Sequence, residues 1–416
     1  MKSDSASEVK VPWVKGLEKG PKGELSFAGR PLEATLKAAS AAVPAYVLSL
    51  AVVQSRAAAY RKVLAEHLEQ PLYFHFAMKS NNHPALLQML AGEGYGVDVV
   101  SGGEMQWALD HGFKSADVVF SGVAKSKNEI QKALEAGVGQ LNVESLPELV
   151  RILEVAKSLK KTARLAIRFN PEVKAETHPY IATGFRENKF GVDALDLPEM
   201  ADVILQNPEF LDFQGLSLHI GSQLLDFAAL GDAIQKTLAV EQQLKNRGLK
   251  IKSLDVGGGV GIAYKGSEDE DSQVLLKYAR TLASALKGYP GELHFEPGRF
   301  WVARAGALVT RIEYVKRTPY KNFLILNAGM NALLRPMLYQ AYHRIELVPA
   351  REGASAVYDV VGPVCESSDT LGTLREFIDP REGDLAIIGE AGAYGAVLAS
   401  NYNLLGAVPE VLWDDL

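Results

Sequence analysis

One pattern of apolar and polar positions repeats between residues 46 and 297: an apolar stretch, a polar or glycine-rich stop, and then helical spacing of apolar residues. Eight apolar stretches predict strands at 73–79, 96–101, 117–122, 140–145, 164–170, 214–222, 253–259 and 292–298. The first five begin 20 to 25 residues apart, which suits a strand followed by a short helix. Eight such units in succession predict a (β/α)8 TIM barrel of the α/β class. A doubly wound open sheet is the alternative, but the chain has no G-x-G-x-x-G fingerprint to support it.

The pattern changes after residue 297, where short apolar runs follow one another with few long helices between them. Runs at 305–314, 322–327, 356–361 and 384–388 predict an antiparallel β-domain, and a short N-terminal strand near Phe27 is expected to join it. The predicted divisions are a disordered tail at 1–12, a segment at 13–45 that packs with the β-domain, the barrel at 46–297 and the C-terminal β-domain at 298–416. A polar, glycine-bearing loop at 171–191 follows the fifth strand.

Composition narrows the possible functions. The 416 residues are 47% hydrophobic and 23% charged, which is ordinary for a globular protein, and the net charge of -6 provides no basic patch for nucleic acid or an anionic membrane. No apolar run reaches the roughly 18 residues of a membrane span, and the first residues lack an apolar signal core. Cys365 is the single cysteine, so an intrachain disulfide is excluded. Together these features predict a cytoplasmic protein without nucleic-acid or membrane partners.

Lys79 ends the first barrel strand, and a helix start follows at Pro84. Lysine is rarely buried, and a buried amine loses its proton readily, which makes it nucleophilic. A strand, an amine and a helix in this order predict a Schiff-base lysine at the mouth of an α/β fold. On this segment alone, an edge lysine that extends into solvent is the alternative.

The other predicted strands also end in polar residues or glycines. In chain order the strand ends carry Lys79, Asp98 with Ser101, Ser121, Glu144, Arg168 with Asn170, His219 with Ser222, the glycines Gly257, Gly258 and Gly259, and Glu296 with Arg299. Because barrel chemistry lies at the C-terminal ends of the strands, this ring around one amine predicts a pocket.

Four features of the ring together indicate a binding site for pyridoxal 5′-phosphate. None of them indicates a metal site. Beside the amine, the glycine run at 257–259 favours a phosphate site over a flexible turn, because its N–H groups can approach an anion closely. His219, otherwise a satisfied core or surface histidine, could stack on a flat ring while Ser222 reaches phosphate oxygens. Glu296 could pair with a protonated ring nitrogen, and Arg299 could bind a carboxylate. A mutual surface ion pair is the alternative for these last two residues.

Eight short segments carry a resemblance to a known family. They are 76–81 (FAMKSN), 96–104 (GVDVVSGGE), 177–184 (THPYIATG), 189–191 (KFG), 219–223 (HIGSQ), 296–299 (EPGR), 362–369 (GPVCESSD) and 391–395 (AGAYG). In this order the chain resembles the diaminopimelate decarboxylases, pyridoxal-phosphate enzymes of the alanine racemase-like fold, over about residues 20–416. Two departures, at 42–44 and in an acidic insert at 267–271 where loops vary, touch no expected catalytic position.

The resemblance implies a role for each matching position. Lys79 would hold the cofactor through a Schiff base, and His219 would stack on its ring. The other implied cofactor-binding residues are Asp98, Ser222, Gly257, Gly258, Gly259, Glu296, Pro297, Gly298, Arg299 and Tyr394. The implied substrate-binding residues are Arg299, Arg335, Tyr339, Glu366 and Tyr394.

The resemblance also implies a homodimer with shared active sites, completed by residues of the 298–416 domain. Cys365 and Glu366 would reach into the pocket of the partner subunit, with Cys365 as proton donor; a small buried hydrophobe is the alternative for a lone cysteine. Arg335 and Tyr339 stand four residues apart, as on a helical turn, for which a solvated helix face is the alternative.

The implied reaction is the decarboxylation of meso-2,6-diaminopimelate to L-lysine and carbon dioxide, the last step of lysine biosynthesis. A related decarboxylase of ornithine, arginine or carboxynorspermidine is the main alternative, although Arg299 and Arg335 suit a second carboxylate, which those substrates lack. A non-catalytic cofactor-binding protein would need neither Cys365 with Glu366 nor the β-domain. A cofactor-free aldolase that uses Lys79 directly is a further alternative.

Overall fold

The computed structural model describes residues 11–21, 23–38, 42–173 and 189–416. The segment at 177–184, most of the loop at 171–191 and nearly all of the predicted tail at 1–12 lie outside the described residues. The chain forms two compact units. The first consists of Tyr60–Gly261 and Gln273–Gly298, and the second of Met1–Ala59, Ile262–Ser272 and Arg299–Leu416.

The strands and helices are numbered in chain order. The strands are β1 (Leu17–Lys19), β2 (Leu25–Phe27), β3 (Arg30–Pro31), β4 (Ala45–Leu48), β5 (Leu72–Ala77), β6 (Gly96–Val99), β7 (Val118–Phe120), β8 (Gln140–Val143), β9 (Ala163–Arg168), β10 (Leu211–Ser217), β11 (Ser253–Asp255), β12 (Glu292–Phe295), β13 (Gly306–Arg317), β14 (Asn322–Leu326), β15 (Ile345–Val348), β16 (Ser355–Val361), β17 (Thr370–Ile378), β18 (Leu385–Ile388) and β19 (Glu410–Leu412). The helices are α1 (Leu32–Ala38), α2 (Leu50–His67), α3 (Pro84–Gly92), α4 (Gly102–Asp110), α5 (Lys127–Ala136), α6 (Leu146–Leu159), α7 (Leu197–Gln206), α8 (Ala228–Asn246), α9 (Glu268–Ala285), α10 (Arg299–Val302) and α11 (Arg335–Tyr339).

The first unit is a closed barrel of eight parallel strands, β5 to β12, in which neighbours in sequence are neighbours in space and β12 pairs with β5. All eight predicted strands are present, so the predicted TIM barrel is confirmed. Each strand ends earlier than predicted; β10, for example, ends at Ser217 rather than at residue 222. After several strands the polar side chains cap the next helix instead: Ser101 accepts from the Glu104 N–H and Ser145 from the Glu148 N–H.

Local sequence signals explain the boundaries of the barrel elements. Every residue of β6 and β8 is buried, as expected for parallel strands covered on both faces. Helix α5 begins with a capping box, in which the Ser126 side chain and the Glu129 side chain each accept from the other's backbone N–H. The same helix ends at Gly137 with φ of 72°, a left-handed conformation that favours glycine.

The second unit contains a β-sheet in the order β15-β18-β13-β14-β16-β17, to which β4 is joined through β13 and β19 through β4. Most pairs are antiparallel, but β14 with β16 and β4 with β19 are parallel, so the sheet is mixed. The predicted C-terminal β-domain with an N-terminal strand is therefore confirmed, and that strand is β4.

The strand near Phe27 forms a different sheet from the one expected. It is β2, and among the described strands its partners are β1 and β3, in a three-stranded sheet. Phe27 nevertheless packs into the unit's apolar core, where its ring lies edge-on to Trp413 at 5.3 Å. Side-chain packing, rather than strand pairing, explains why an apolar residue stands at this position.

No helix in the described ranges is both long enough and apolar enough to cross a membrane.

Candidate active site

Lys79 follows β5 in a single helical turn, Met78–Ser80, at the C-terminal rim of the barrel. Asp98 lies on the neighbouring strand, in register with Ala77, and its Oδ2 is 2.7 Å from the Lys79 Nζ. The lysine side chain is 36% exposed, whereas that of Asp98 is 0% exposed. Lys79 is therefore neither a buried amine nor an edge residue that extends freely into solvent. It is an amine at the rim, paired with a buried carboxylate.

The barrel unit contains a cavity of about 540 Å³ at this rim. It is lined by Lys79, Val100, Ser101, Ser121, Gly122, Val123, Ala124, Glu129, Asn142, Arg168, Phe190, Ser217, Leu218, His219 and Glu296. The structure thus brings together the amine, the histidine and the carboxylate that were predicted from three separate strand ends. Ser101, Ser121 and Arg168 of the predicted ring also line the cavity.

Glu296 is a buried carboxyl group among other carboxyl groups. Burial, together with the negative charges of Asp255 and Asp98, raises the pKa of Glu296 well above its usual range. Its Oε1 accepts a hydrogen bond from the Asn142 Nδ2 at 3.4 Å. Oδ1 of Asp98 and Oδ2 of Asp255 are buried without a hydrogen-bond partner among the described residues. A cationic N–H group in the cavity would relieve this excess of negative charge.

His219 is held in one tautomer by the glycine run. Its Nδ1 accepts a hydrogen bond from the Gly258 N–H at 3.2 Å, so the ring proton of the neutral form is on Nε2. Burial, with the positive charges of Arg168 and Lys79, lowers the pKa of His219 well below its usual value. A neutral, fixed imidazole at the cavity wall is suited to packing against a flat ring.

The glycines at 257–259 are required by close backbone approaches. A Cβ at Gly257, whose φ is 72°, would lie 2.4 Å from the Leu218 carbonyl oxygen, and one at Gly258 would lie 2.2 Å from that of Glu296. The N–H groups of Gly257 and Gly258 are already used, by Asp255 Oδ1 and by His219. The run therefore offers an anion one N–H, that of Gly259, which has no acceptor among the described residues.

Three further predicted cofactor residues, Ser222, Pro297 and Gly298, lie close to these segments. Ser222 is in the turn before Leu224, whose N–H donates to the Gly259 carbonyl at 2.8 Å. The carbonyl of Pro297 accepts from the Ala77 N–H at 2.8 Å. A Cβ at Gly298 would meet atoms of Ala77 and Ser80 at 3.1 Å, so this glycine lets the chain pass close to the turn that carries Lys79.

Two buried residues of this site, Asn142 and Asp255, were not assigned a role from the sequence. Asn142 donates to both Ser121 Oγ and Glu296 Oε1. The available signal for Asn142 was an amide within a predicted barrel strand, and for Asp255 it was a carboxylate two residues before the first glycine.

Five predicted ligand-binding residues belong to the second unit, and Tyr264 contacts two of them, Arg299 and Arg335. The Arg299 Nη1 donates to the Tyr264 hydroxyl at 2.9 Å, and the Arg335 guanidinium lies over the Tyr264 ring at 4.7 Å. Arg299 also lies 4.8 Å from the centre of the Tyr394 ring. Burial opposes ionisation of Tyr264, but the two guanidinium groups outweigh it and lower the pKa of the phenol. Tyr339 is half-buried at the end of α11, one turn after Arg335.

The acidic segment at 267–271, expected to be a variable loop, is instead the start of α9 and part of a buried charge cluster. The Asp271 carboxylate accepts from Arg56 at 3.1 Å, from Arg304 at 3.0 Å and from the Ala263 N–H at 2.7 Å. Glu268 also accepts from Arg56. The cluster fixes the residue next to Tyr264, which a count of acidic residues could not indicate.

Cys365 and Glu366 are exposed on their unit rather than buried. Asp369 shapes their loop by accepting hydrogen bonds from the Val364 and Met330 N–H groups. Glu366 accepts from the Tyr402 hydroxyl at 2.7 Å.

Comparison with known proteins identifies the family to which the chain belongs. Residues 50–303 match the model of the pyridoxal-dependent decarboxylase, pyridoxal binding domain. The chain is 43% identical to the diaminopimelate decarboxylase of Pseudomonas aeruginosa over 371 residues, which cover 89% of this chain and 88% of that protein. The chain belongs to the diaminopimelate decarboxylase family.

Solved structures of diaminopimelate decarboxylases agree with this assignment. That from Helicobacter pylori complexed with L-lysine has a TM-score of 0.85 and 38% identity, over 91% of this chain and 94% of that one. That from M. jannaschii in co-complex with L-lysine has a TM-score of 0.85 and 33% identity, over 96% and 93%. The expected pyridoxal cofactor is confirmed at the level of the family, because the matched domain is its pyridoxal-binding domain. The buried carboxyl groups, the neutral His219 and the amine around one cavity all fit that group.

Proposed function

We propose that this protein decarboxylates meso-2,6-diaminopimelate to L-lysine and carbon dioxide, with bound pyridoxal 5′-phosphate. The observation that carries the proposal is the convergence of Lys79, His219 and Glu296 on one cavity at the C-terminal rim of the barrel. Membership of the diaminopimelate decarboxylase family supports the choice of substrate, as do the relatives solved with L-lysine, the product of this reaction.

When bound, pyridoxal phosphate supplies a conjugated ring that accepts the electron pair left behind as carbon dioxide departs. Lys79 would provide the amine that anchors it, and Asp98 holds that amine at the cavity edge. Glu296 would pair with the ring nitrogen, and His219 would pack against the ring. Ser222 and the Gly259 N–H would bind the phosphate.

Arg299, Arg335, Tyr339 and Tyr394 hold the end of the substrate that does not react. The pairing of Arg299 and Arg335 through one tyrosine puts two guanidinium groups close together, which suits a carboxylate. Ornithine and arginine have no second carboxylate to place there. This pair is the reason to prefer diaminopimelate over the substrates of related decarboxylases.

Cys365 and Glu366 act in the site of a second copy of the chain. Both are exposed on their own unit, on a loop shaped by internal hydrogen bonds, so they are available to a partner. In a homodimer, the Cys365 thiol would be placed to give a proton to the reacting carbon of the substrate, and Glu366 would bind the ammonium of the unreactive end.

A substrate panel tests the reaction. Carbon dioxide release is measured from meso-diaminopimelate, ornithine and arginine with the cofactor spectrum recorded in parallel. We expect release from diaminopimelate alone. Release from ornithine or arginine and none from diaminopimelate would favour a related decarboxylase. A cofactor spectrum without turnover would favour a binding protein, and carbonyl chemistry without any cofactor would favour the aldolase.

Subunit mixing tests the shared site. Lys79→Ala and Cys365→Ala chains are each expected to be inactive as pure dimers. In a hybrid, one site combines the intact Lys79 of one chain with the intact Cys365 of the other, so activity should partly return. Native mass spectrometry confirms that hybrids form; hybrids without recovered activity would contradict the shared site.

A further inference from the structure

Arg335 is a buried cation with no ion-pair partner among the described residues. It is 4% exposed. Its Nε–H is buried and has no acceptor in the described part of the chain. Removing a guanidinium from water without a paired anion is costly. The arrangement therefore fits a residue whose counter-ion is a ligand.

His343 makes the hydrogen bond that fixes this guanidinium. Its Nε2 lies 2.8 Å from the Arg335 Nη1, and its Nδ1 lies 2.9 Å from the Gly389 carbonyl oxygen. A carbonyl oxygen can only accept, so Nδ1 carries the proton; Arg335 can only donate, so Nε2 offers its lone pair. Only the neutral imidazole with its proton on Nδ1 satisfies both bonds.

The surroundings of His343 keep it in that form. The side chain is fully buried. Burial and the positive charge of Arg335 lower the pKa of His343 to about 3, and the charges of Arg299 and Arg375 act in the same direction. The ring is therefore a permanent acceptor for Arg335 near neutral pH.

Tyr264 supports the guanidinium of Arg335 from a second direction. Its ring lies 4.7 Å from the Arg335 Cζ and packs edge-on against His343, with the two ring centres 5.5 Å apart. Tyr264 thus restrains the face of the guanidinium, while His343 restrains its Nη1. Once both are fixed, the direction of the buried Nε–H is also fixed.

We propose that His343 is a positioning residue, whose neutral ring holds Arg335 so that its remaining N–H groups meet the carboxylate of the substrate's unreactive α-amino acid end. The inference rests on the proposed function, in which Arg335 binds that carboxylate. His343 does not touch the substrate and acts only through Arg335.

A matched pair of variants separates the two hydrogen bonds of His343. In His343→Gln the amide oxygen stands near the position of Nε2 and keeps an acceptor for Arg335. In His343→Asn the shorter amide stands near the position of Nδ1; it keeps a donor for Gly389 but does not reach Arg335. Both variants exchange a buried ring for a buried amide, so each controls for the other.

The measurement is calorimetric binding of L-lysine and of cadaverine to the cofactor-loaded enzyme. The two ligands differ only in the carboxylate that Arg335 is proposed to bind. We expect His343→Asn to weaken L-lysine binding about 10-fold or more and to leave cadaverine unchanged, since a hydrogen bond that orients a charged group has been lost. His343→Gln should stay within about 3-fold of the unmodified protein for both ligands. In an Arg335→Met background, His343→Asn should cause no further loss, because the residue it positions is absent.

Equal L-lysine affinity in the Asn and Gln variants would overturn the inference. An equal loss for L-lysine and cadaverine, or failure of both variants to fold and hold cofactor, would show that His343 serves the fold and would also overturn it. If Arg335→Met alone leaves the preference for L-lysine over cadaverine intact, the substrate role of Arg335 is wrong, and the fault lies in the proposed function.

Discussion

Among the described residues, the Lys79 ammonium is the only hydrogen-bond donor to the side chain of Asp98: Nζ lies 2.7 Å from Oδ2, and the buried Oδ1 has no partner there. The carboxylate is wholly buried, whereas the lysine is partly exposed. Lys79 therefore has a second task besides anchoring a cofactor, because it compensates a buried negative charge.

The two tasks of Lys79 can be separated by substitution. Lys79→Ala should lower the free energy of unfolding of the cofactor-free protein by about 1–3 kcal/mol, because the buried Asp98 carboxylate loses its partner. Lys79→Arg should cost less than half as much, because a cation remains beside Asp98. Both variants should lose the visible absorbance of bound cofactor. Urea denaturation and an absorbance scan check the two effects.

The double variant Lys79→Ala with Asp98→Asn is the control. It should recover much of the lost stability, since a neutral amide no longer needs a counter-charge. If Lys79→Ala proves as stable as Lys79→Arg, the compensating role is wrong.

The carboxyl groups beneath the cavity predict a pH dependence of stability. Burial is the largest cause that raises the pKa of Asp255, to about 6, and of Glu296, well above its usual range. A group with a raised pKa binds its proton more tightly in the folded state. The contribution of each such group to the free energy of unfolding is present in full at pH values below about 4, the pKa of an unperturbed carboxyl group. It is lost as the pH rises through the pKa that the group has in the folded state.

Asp255→Asn isolates this effect. The amide oxygen can still accept from the Gly257 N–H, which now bonds Asp255 Oδ1 at 2.8 Å, while the ionisable group is gone. Without cofactor, the variant should become increasingly more stable than the unmodified protein between about pH 4.5 and about pH 7. Thermal unfolding of both proteins across that range gives the difference. A difference that does not change with pH would contradict the account.

We expect a large loss of stability when the carboxylate at the centre of the buried charge cluster, that of Asp271, is replaced by an amide. Asp271→Asn would leave the buried Arg56 and Arg304 without their shared carboxylate, at a cost of about 3–5 kcal/mol. Asp269→Asn, two residues earlier on α9, is the control; Asp269 lies at the surface, and its carboxylate is 4.0 Å from Lys15. That variant should stay within about 0.5 kcal/mol of the unmodified protein. Similar costs for the two would show that the cluster contributes little.

The apolar–polar pattern of the sequence was sufficient to predict the barrel, because its strands are largely apolar stretches that end in polar residues. It was insufficient for β15, a four-residue strand that is partly exposed, and for β17, whose exposed and buried positions alternate irregularly. The residues of the candidate site that could be predicted are likewise those that lie at the ends of the barrel strands. Lys79, His219 and Glu296 stand at strand ends, where sequence order predicts their meeting.

Tyr264, Asn142 and His343 could not be found in this way. Each acts through a partner distant in sequence, such as the Gly389 carbonyl for His343 and Glu296 for Asn142. No local spacing encodes such pairs. The charge cluster was missed for the same reason, because Arg56 and Asp271 are 215 residues apart.

The stoichiometry of the reaction on meso-diaminopimelate decides whether this protein is a diaminopimelate decarboxylase that works through Lys79. Purified protein is incubated with this substrate and pyridoxal phosphate, and carbon dioxide and L-lysine are quantified together by mass spectrometry. We expect equal amounts of the two products from the unmodified protein and none from Lys79→Ala. Carbon dioxide without L-lysine, or undiminished turnover by Lys79→Ala, would contradict this expectation.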